Sequence, residues 1–188
     1  MPNNIIITGD KYVGKSTLIK KCLDKFNLIP GGFVVGRTGQ KDAWLSFYLI
    51  DPYEYYYRDD SKESKIYKKI KKTFAKRNSP KEKFKVDFEA FDNKGVELLE
   101  TGLKYKDIVI MDELGRFELK ALKFQKKVFE VLDSDKNVLA VLKDEHNVFL
   151  DKIRDREDIT ILKLSDKNKE EVSNTIYELL KKLLTKEE

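Results

Sequence analysis

Cysteine, histidine and tryptophan each occur once in the 188 residues, and proline only four times. The lone Cys22 excludes an internal disulfide, and its place among apolar residues suggests a core thiol. With His146 as the single histidine, there is no Cys/His cluster to build a structural zinc site. No apolar run approaches the roughly 18 residues that a membrane-spanning helix needs, so no membrane partner is expected. Met1-Pro2-Asn3-Asn4 leads straight into an apolar run without the regions of a signal peptide, and a cytoplasmic location is expected. No repeat or Gly/Ser-rich linker divides the chain, which reads as one domain, residues 1–188.

Charge is plentiful but uneven. The net charge is +5, yet Lys62 to Lys85 carries eleven Lys or Arg against Glu63 and Glu82. The rest of the chain is therefore slightly acidic. This basic stretch lies in a segment, 52–85, that reads as an insertion with the character of a lid. Ile66, Ile70 and Phe74 recur every four residues among its lysines, which predicts one amphipathic helix over Ser61 to Arg77. Nucleic acid is a second, less favoured partner for those lysines. Lys and Glu dominate the charged residues, a bias common in thermophiles.

The organising stretch is Gly9-Asp10-Lys11-Tyr12-Val13-Gly14-Lys15-Ser16-Thr17. It follows Ile5-Ile6-Ile7-Thr8 and precedes a helical pattern from about Ser16 to Asn27. Strand, G-x-x-x-x-G-K-S and helix in that order form the P-loop (Walker A) context. A triphosphate needs many backbone N–H groups turned toward it, and glycine permits the close approach. Lys15 can reach the β- and γ-phosphates, and the Ser16 hydroxyl can ligate Mg²⁺. Nucleotide binding by all nine residues is expected.

Downstream, Phe33-Val34-Val35 and Leu45 to Ile50 predict paired strands around a glycine-bearing loop, residues 36–42. Four tyrosines around Tyr55 read as packing beneath the basic helix, with stacking on a base as the less favoured alternative. Phe84 to Phe88 alternates like a strand. Asp92 can cap a helix bearing Val96, Leu99 and Leu103, which Gly102 helps to end. A long helix is expected over Glu118 to Leu132, then a strand at Asn137 to Leu142 and a short helix at Val148 to Arg154. A last strand at Ile159 to Leu164 precedes a helix that Asp166 can cap. Alternation of strands and helices predicts an α/β fold with a mainly parallel sheet.

Ile108-Val109-Ile110-Met111-Asp112 has the Walker B form, a buried strand ending in an acid. Asp112 would share Mg²⁺ with Ser16. Glu113, directly after it, can orient and deprotonate a water near the γ-phosphate, which favours hydrolysis over binding alone. Arg37 and Arg116 are candidate transition-state cations. Asp112-Glu113-Leu114-Gly115 also satisfies the D-x-x-G of small GTPases. The distance from the P-loop is far too wide for them, however, and no N-K-x-D is present. Two alternatives remain: a nucleotide or small-molecule kinase on the same P-loop, and a nucleotide-dependent, RNA-associated module.

The chain resembles the THEP1-type nucleoside-triphosphatases, the group that includes the human cancer-related form. The shared pieces are the P-loop, Gly32-Phe33 with an Arg37-bearing loop, and Val86 to Phe91. They continue with Ile110-Met111-Asp112-Glu113-Leu114-Gly115-Arg116-Phe117-Glu118-Leu119 and Ile153 to Asp158. That resemblance implies a RecA-like P-loop domain, a three-layer α/β/α sandwich with a catalytic Glu113 beside Asp112. It also implies Mg²⁺-dependent hydrolysis of ATP, GTP and other nucleoside triphosphates with broad base tolerance.

Overall fold

The computed structural model describes residues 4–58 and 71–185. Their strands form one eight-stranded sheet: β1 (Asn4–Thr8), β2 (Pro30–Gln40), β3 (Ala43–Ile50), β4 (Lys72–Lys76), β5 (Lys85–Val86), β6 (Ile108–Leu114), β7 (Val138–Leu142) and β8 (Ile159–Lys163). The order across the sheet is β5-β4-β3-β2-β6-β7-β1-β8. Strands β2, β6, β7, β1 and β8 run parallel. The remaining three add antiparallel at one edge. Strand β7 thus separates the P-loop strand β1 from the acid-bearing strand β6.

Parallel strands covered on both faces need unbroken apolar runs, and β1, β6 and β7 have them. Helices α1 (Lys15–Phe26) and α6 (Lys169–Leu184) cover one face. There Leu18, Ile19, Ile176 and Leu180 meet Ile5, Ile7 and Val141. Cys22 is fully buried in this layer, and burial pushes its thiol up to about 12, so it behaves as an apolar core group. The other face holds α3 (Val96–Tyr105), α4 (Leu122–Leu132) and α5 (Val148–Arg154), packed through Leu99, Phe124, Val128 and Phe149 onto Phe33 and Val109. The result is the expected three-layer α/β/α sandwich.

Several local expectations change. The glycine-bearing loop is strand as far as Gln40, closed by a two-residue turn with Asp42 at φ 62°. Arg37 therefore sits on a strand, opposite Phe47, and not on a loop. The helix expected over 61–77 falls on residues 61–70, outside the described ones, and on 72–76, which are strand β4. Phe74 there is 1% exposed and packs with Phe91 and Phe117 at ring centroids of 4.4 and 5.6 Å. Its partners are core aromatics, so pairing with β3 prevails over the four-residue spacing. Strand β5 shortens to two residues. Just before α3 the chain makes a π-helical turn, Phe91–Gly95. Asp92 lies inside that turn, and its Oδ1 accepts from the Phe124 N–H at 2.9 Å, capping α4 instead of its own helix.

Gly102 is inside α3 and does not end it. A Cβ there would lie 2.8 Å from the Gly32 nitrogen, so glycine lets α3 approach β2 closely. The helix expected over 118–132 is split into a 3₁₀ turn, Phe117–Lys120, and α4. Asp166 pairs with Lys169 at 2.6 Å, while Asn168 occupies the α6 N-cap position. The tyrosine cluster forms α2 (Pro52–Tyr57), capped by Asp51 Oδ1, which accepts from the Tyr53 and Glu54 N–H groups. No helix among the described residues is long and apolar enough to cross a membrane.

Candidate active site

The carboxyl ends of β1, β2, β6 and β7 open into one cavity of about 440 Å³. That is where open parallel sheets place ligands. The P-loop makes its floor. Gly9, at φ 134°, leaves β1 so close to β8 that a Cβ would sit 2.2 Å from the Leu164 carbonyl oxygen; only glycine fits. Tyr12 takes φ 65°, and its hydroxyl donates to Asp42 Oδ1 at 2.7 Å, tying the loop to the β2–β3 turn. Lys15 Nζ donates to the Gly9 and Asp10 carbonyl oxygens, both at 2.7 Å. Burial lowers the Lys15 ammonium from its ordinary value, opposed by the nearby Glu113 and Asp112 carboxylates. Val13 alone of the nine loop residues has its side chain in the core, at 5% exposure.

Strand β6 delivers the two acids. Asp112 is 4% exposed, and burial raises its carboxyl to about 6, against hydrogen bonds from Ser16 and Tyr56. The Tyr56 hydroxyl donates to Asp112 Oδ2 at 3.3 Å. Its phenol is held well above its ordinary value, first by burial and then by that carboxylate, so it stays a donor. Glu113 is bracketed by two cations. Arg37 Nη2 from β2 lies 2.9 Å from Oε2, and Lys143 Nζ lies 3.4 Å from Oε1. All three side chains are at most about one-third exposed, so these pairs are stronger than surface ion pairs.

A Mg²⁺ ion suits this donor set. It keeps most of its shell as water and phosphate oxygens and takes only one or two protein oxygens. Ser16 and Asp112, which line the same cavity, supply a hydroxyl and a carboxylate. Among the described residues there is no group of three or more His, Cys, Asp or Glu that would make an all-protein cage.

Gly9, Asp10, Lys11, Tyr12, Gly14, Lys15, Ser16, Thr17, Arg37, Asp112 and Glu113 all line the cavity. Arg116 does not; it is exposed, its guanidinium 5.6 Å from the Phe117 ring centroid. Lys143 is one of the residues that sequence reasoning missed. It is the first polar residue after the five apolar ones of β7, at the carboxyl end of a central strand, and that position was a usable signal. Its loop is braced by Arg154, which donates to the Lys143 and Glu145 carbonyl oxygens at 2.7 and 2.8 Å. Glu118 braces the turn after β6, accepting from the Gly115 N–H at 3.1 Å. Burial raises the Glu118 carboxyl to about 7. No sequence signal distinguished Tyr56 from its neighbouring tyrosines, because the direction of α2 selects it.

Comparison with known proteins agrees with this geometry. A family model described as NTPase matches residues 4–177. The nucleoside-triphosphatase THEP1 of Methanocaldococcus jannaschii is 34% identical over 184 residues, 94% of this chain and 99% of that protein. The THEP1 of Thermotoga maritima is 32% identical over 181 residues, 94% of this chain and 95% of its own. The crystal structure of THEP1 from Aquifex aeolicus superposes with a TM-score of 0.70 at 25% identity, over 94% of this chain and 98% of that one. The solution structure of a human cancer-related nucleoside triphosphatase shares the fold, with a TM-score of 0.66 at 17% identity, over 94% and 96%. With the family model matching residues 4–177, the chain belongs to the THEP1-type NTPase family and is a nucleoside-triphosphate phosphohydrolase.

Proposed function

We propose that this enzyme uses Mg²⁺ to hydrolyse ATP, GTP and other nucleoside triphosphates to the diphosphate and phosphate, with little preference among bases. The observation that carries the reading is the convergence of Lys15, Ser16, Asp112 and Glu113 on one cavity. Lys15 and the loop N–H groups hold the phosphates, and Ser16 and Asp112 hold the cation. Bound there, the metal would offset charge on the β- and γ-phosphate oxygens. Glu113 orients a water and takes its proton as the water oxygen attacks the γ-phosphorus. Arg37 and Lys143 keep the Glu113 carboxylate aimed into the cavity. Both cations are also placed to balance charge that spreads over the γ-phosphoryl oxygens.

Base tolerance follows from the other end of the loop. Lys15 marks the γ end and Thr17 the α end, so the base and ribose extend past Thr17. A cavity of about 280 Å³ lies there, lined by Thr17, Leu18, Lys21, Lys169 and Ser173 among others. None of its lining residues is an acid or an amide, the fixed groups that read base edges.

The test is phosphate release from ATP, GTP, CTP and UTP with no acceptor added. Values of kcat/KM should agree within about ten-fold, the scale of weak discrimination. A chelator should abolish turnover. Glu113→Gln should cut kcat by about 10²-fold while Mg·ATP still binds. Full turnover in Glu113→Gln would remove the base from this mechanism.

A further inference from the structure

The glycine that follows β6, Gly115, is not demanded by its own backbone. Its φ lies outside the left-handed range that disfavours side chains, unlike that of Gly9 in the P-loop. Nor does another main chain press on it. Beyond its chain neighbours, the three nearest atoms to a Cβ built there are Cδ, Cε and Nζ of Lys143, at 2.8, 3.3 and 3.3 Å. Gly115 is buried, and on that side the Lys143 stem is what covers it. The missing side chain leaves a slot for that lysine.

The slot aims Lys143. Its Nζ lies 3.4 Å from Glu113 Oε1, two residues before Gly115. It also lies 5.6 Å from the centroid of the Phe117 ring, two residues after Gly115. Both backbones at this contact are pinned. The Lys143 N–H donates to the Leu114 carbonyl oxygen at 3.0 Å, and Arg154 Nη2 donates to the Lys143 carbonyl oxygen at 2.7 Å. On the other side, the Gly115 N–H donates at 3.1 Å to Oε2 of Glu118, which is 2% exposed. An added methyl group must displace something, and the flexible four-carbon stem of Lys143 moves more easily than either main chain.

We propose that Gly115 is a positioning residue for hydrolysis: by carrying no side chain, it lets the Lys143 ammonium lie against the Glu113 carboxylate. The inference rests on the hydrolytic roles of Lys143 and Glu113. A methyl group at position 115 turns the lysine stem aside, while the P-loop, Ser16 and Asp112 stay in place. Glu113 then keeps Arg37, at 2.9 Å, but loses its second cation. The loss falls on the step in which Glu113 acts, so it is read in kcat, with KM little changed.

The test is a cycle of Gly115→Ala, Lys143→Ala and the double variant, assayed for phosphate release from Mg·ATP. Gly115→Ala should lower kcat by about ten-fold, as Lys143→Ala should, with KM within about two-fold of wild type. In the Lys143→Ala background the same methyl should change kcat by less than about two-fold, because the group it displaces is gone. A thermal melt of Gly115→Ala should stay within a few degrees of wild type, since alanine suits this backbone. Wild-type kcat in Gly115→Ala beside a slow Lys143→Ala overturns the proposal and leaves the hydrolase reading intact. Losses that multiply in the double variant overturn it too, because Gly115 would then act by another route. A Gly115→Ala protein that fails to fold also overturns it, by making the glycine a packing requirement of the turn. Full kcat in Lys143→Ala removes the role of Lys143 itself, and the proposal with it.

Discussion

The parallel half of the sheet and its antiparallel edge obey different rules. Strands β1, β6 and β7 are buried along almost their whole length, and their residues are apolar nearly without interruption. Strand β4 buries only Phe74 and Ala75 of its five residues, and β3 is buried fully only at its last three. Where both faces are covered, every position carries the same demand and the pattern announces itself. At the edge the demand falls on only a few residues, and lysines on the wet positions mask it. Phe74 shows the consequence: a residue that suits a helical stripe is in fact a core strand residue. The proposed chemistry draws on both: the parallel half supplies Lys15, Ser16, Asp112, Glu113 and Lys143, and the end of β2 that pairs with β3 supplies Arg37.

The sharpest test of the parallel half is Lys15→Ala. Lys15 is the loop lysine placed to reach the β/γ-phosphates, so kcat/KM should drop by about 10³-fold or more with the fold retained. Phosphate release and a thermal melt on the same sample check both halves of that statement. Next in size, Phe74→Ala tests whether the edge belongs to the same core. Loss of a fully buried ring should cost about 3 kcal/mol in a denaturant titration. A near-zero cost would make β4 and β5 an appendage and dissolve the comparison.

Lys143→Ala asks whether a residue visible only in the folded site matters. It leaves Glu113 with Arg37 alone, so kcat should fall by about ten-fold with little change in KM. An equal fall from Arg116→Ala, a residue outside the cavity, would mean that general charge loss and not position is responsible. The smallest effect concerns Glu118. Burial raises its folded value to about 7, above the unfolded carboxyl, so the fold binds this proton more tightly than the unfolded chain does. Stability from this group is therefore full below the ordinary carboxyl range and is lost as pH rises toward 7. Glu118→Gln keeps the Gly115 contact and removes the titration. Its Tm should gain on wild type by several degrees between pH 4 and pH 8. A constant difference across that range would deny the shifted carboxyl.

Much of the site was legible in the linear order. The P-loop is a local device: its glycines, lysine and hydroxyl act within nine residues, so their spacing alone specifies the phosphate cradle. Asp112 and Glu113 were legible because a buried central strand must be apolar until it reaches the ligand edge. Helix caps were less so. Asp92 sits where it could cap its own helix, yet it satisfies the Phe124 N–H of another, because side-chain oxygens take the nearest unpaired donor in space.

The sequence by itself determined the class of fold, the phosphate-binding loop and the pair of acids, since each depends on near neighbours along the chain or on burial of a whole strand. Tertiary structure alone decided that Arg37 and Lys143 meet at Glu113, that Tyr56 reaches Asp112, and that Gly115 faces the Lys143 stem. Arg37, Lys143 and Tyr56 lie tens of residues from the acids they meet. Only the strand order, with β6 held between β2 and β7, brings their side chains to one edge of the sheet.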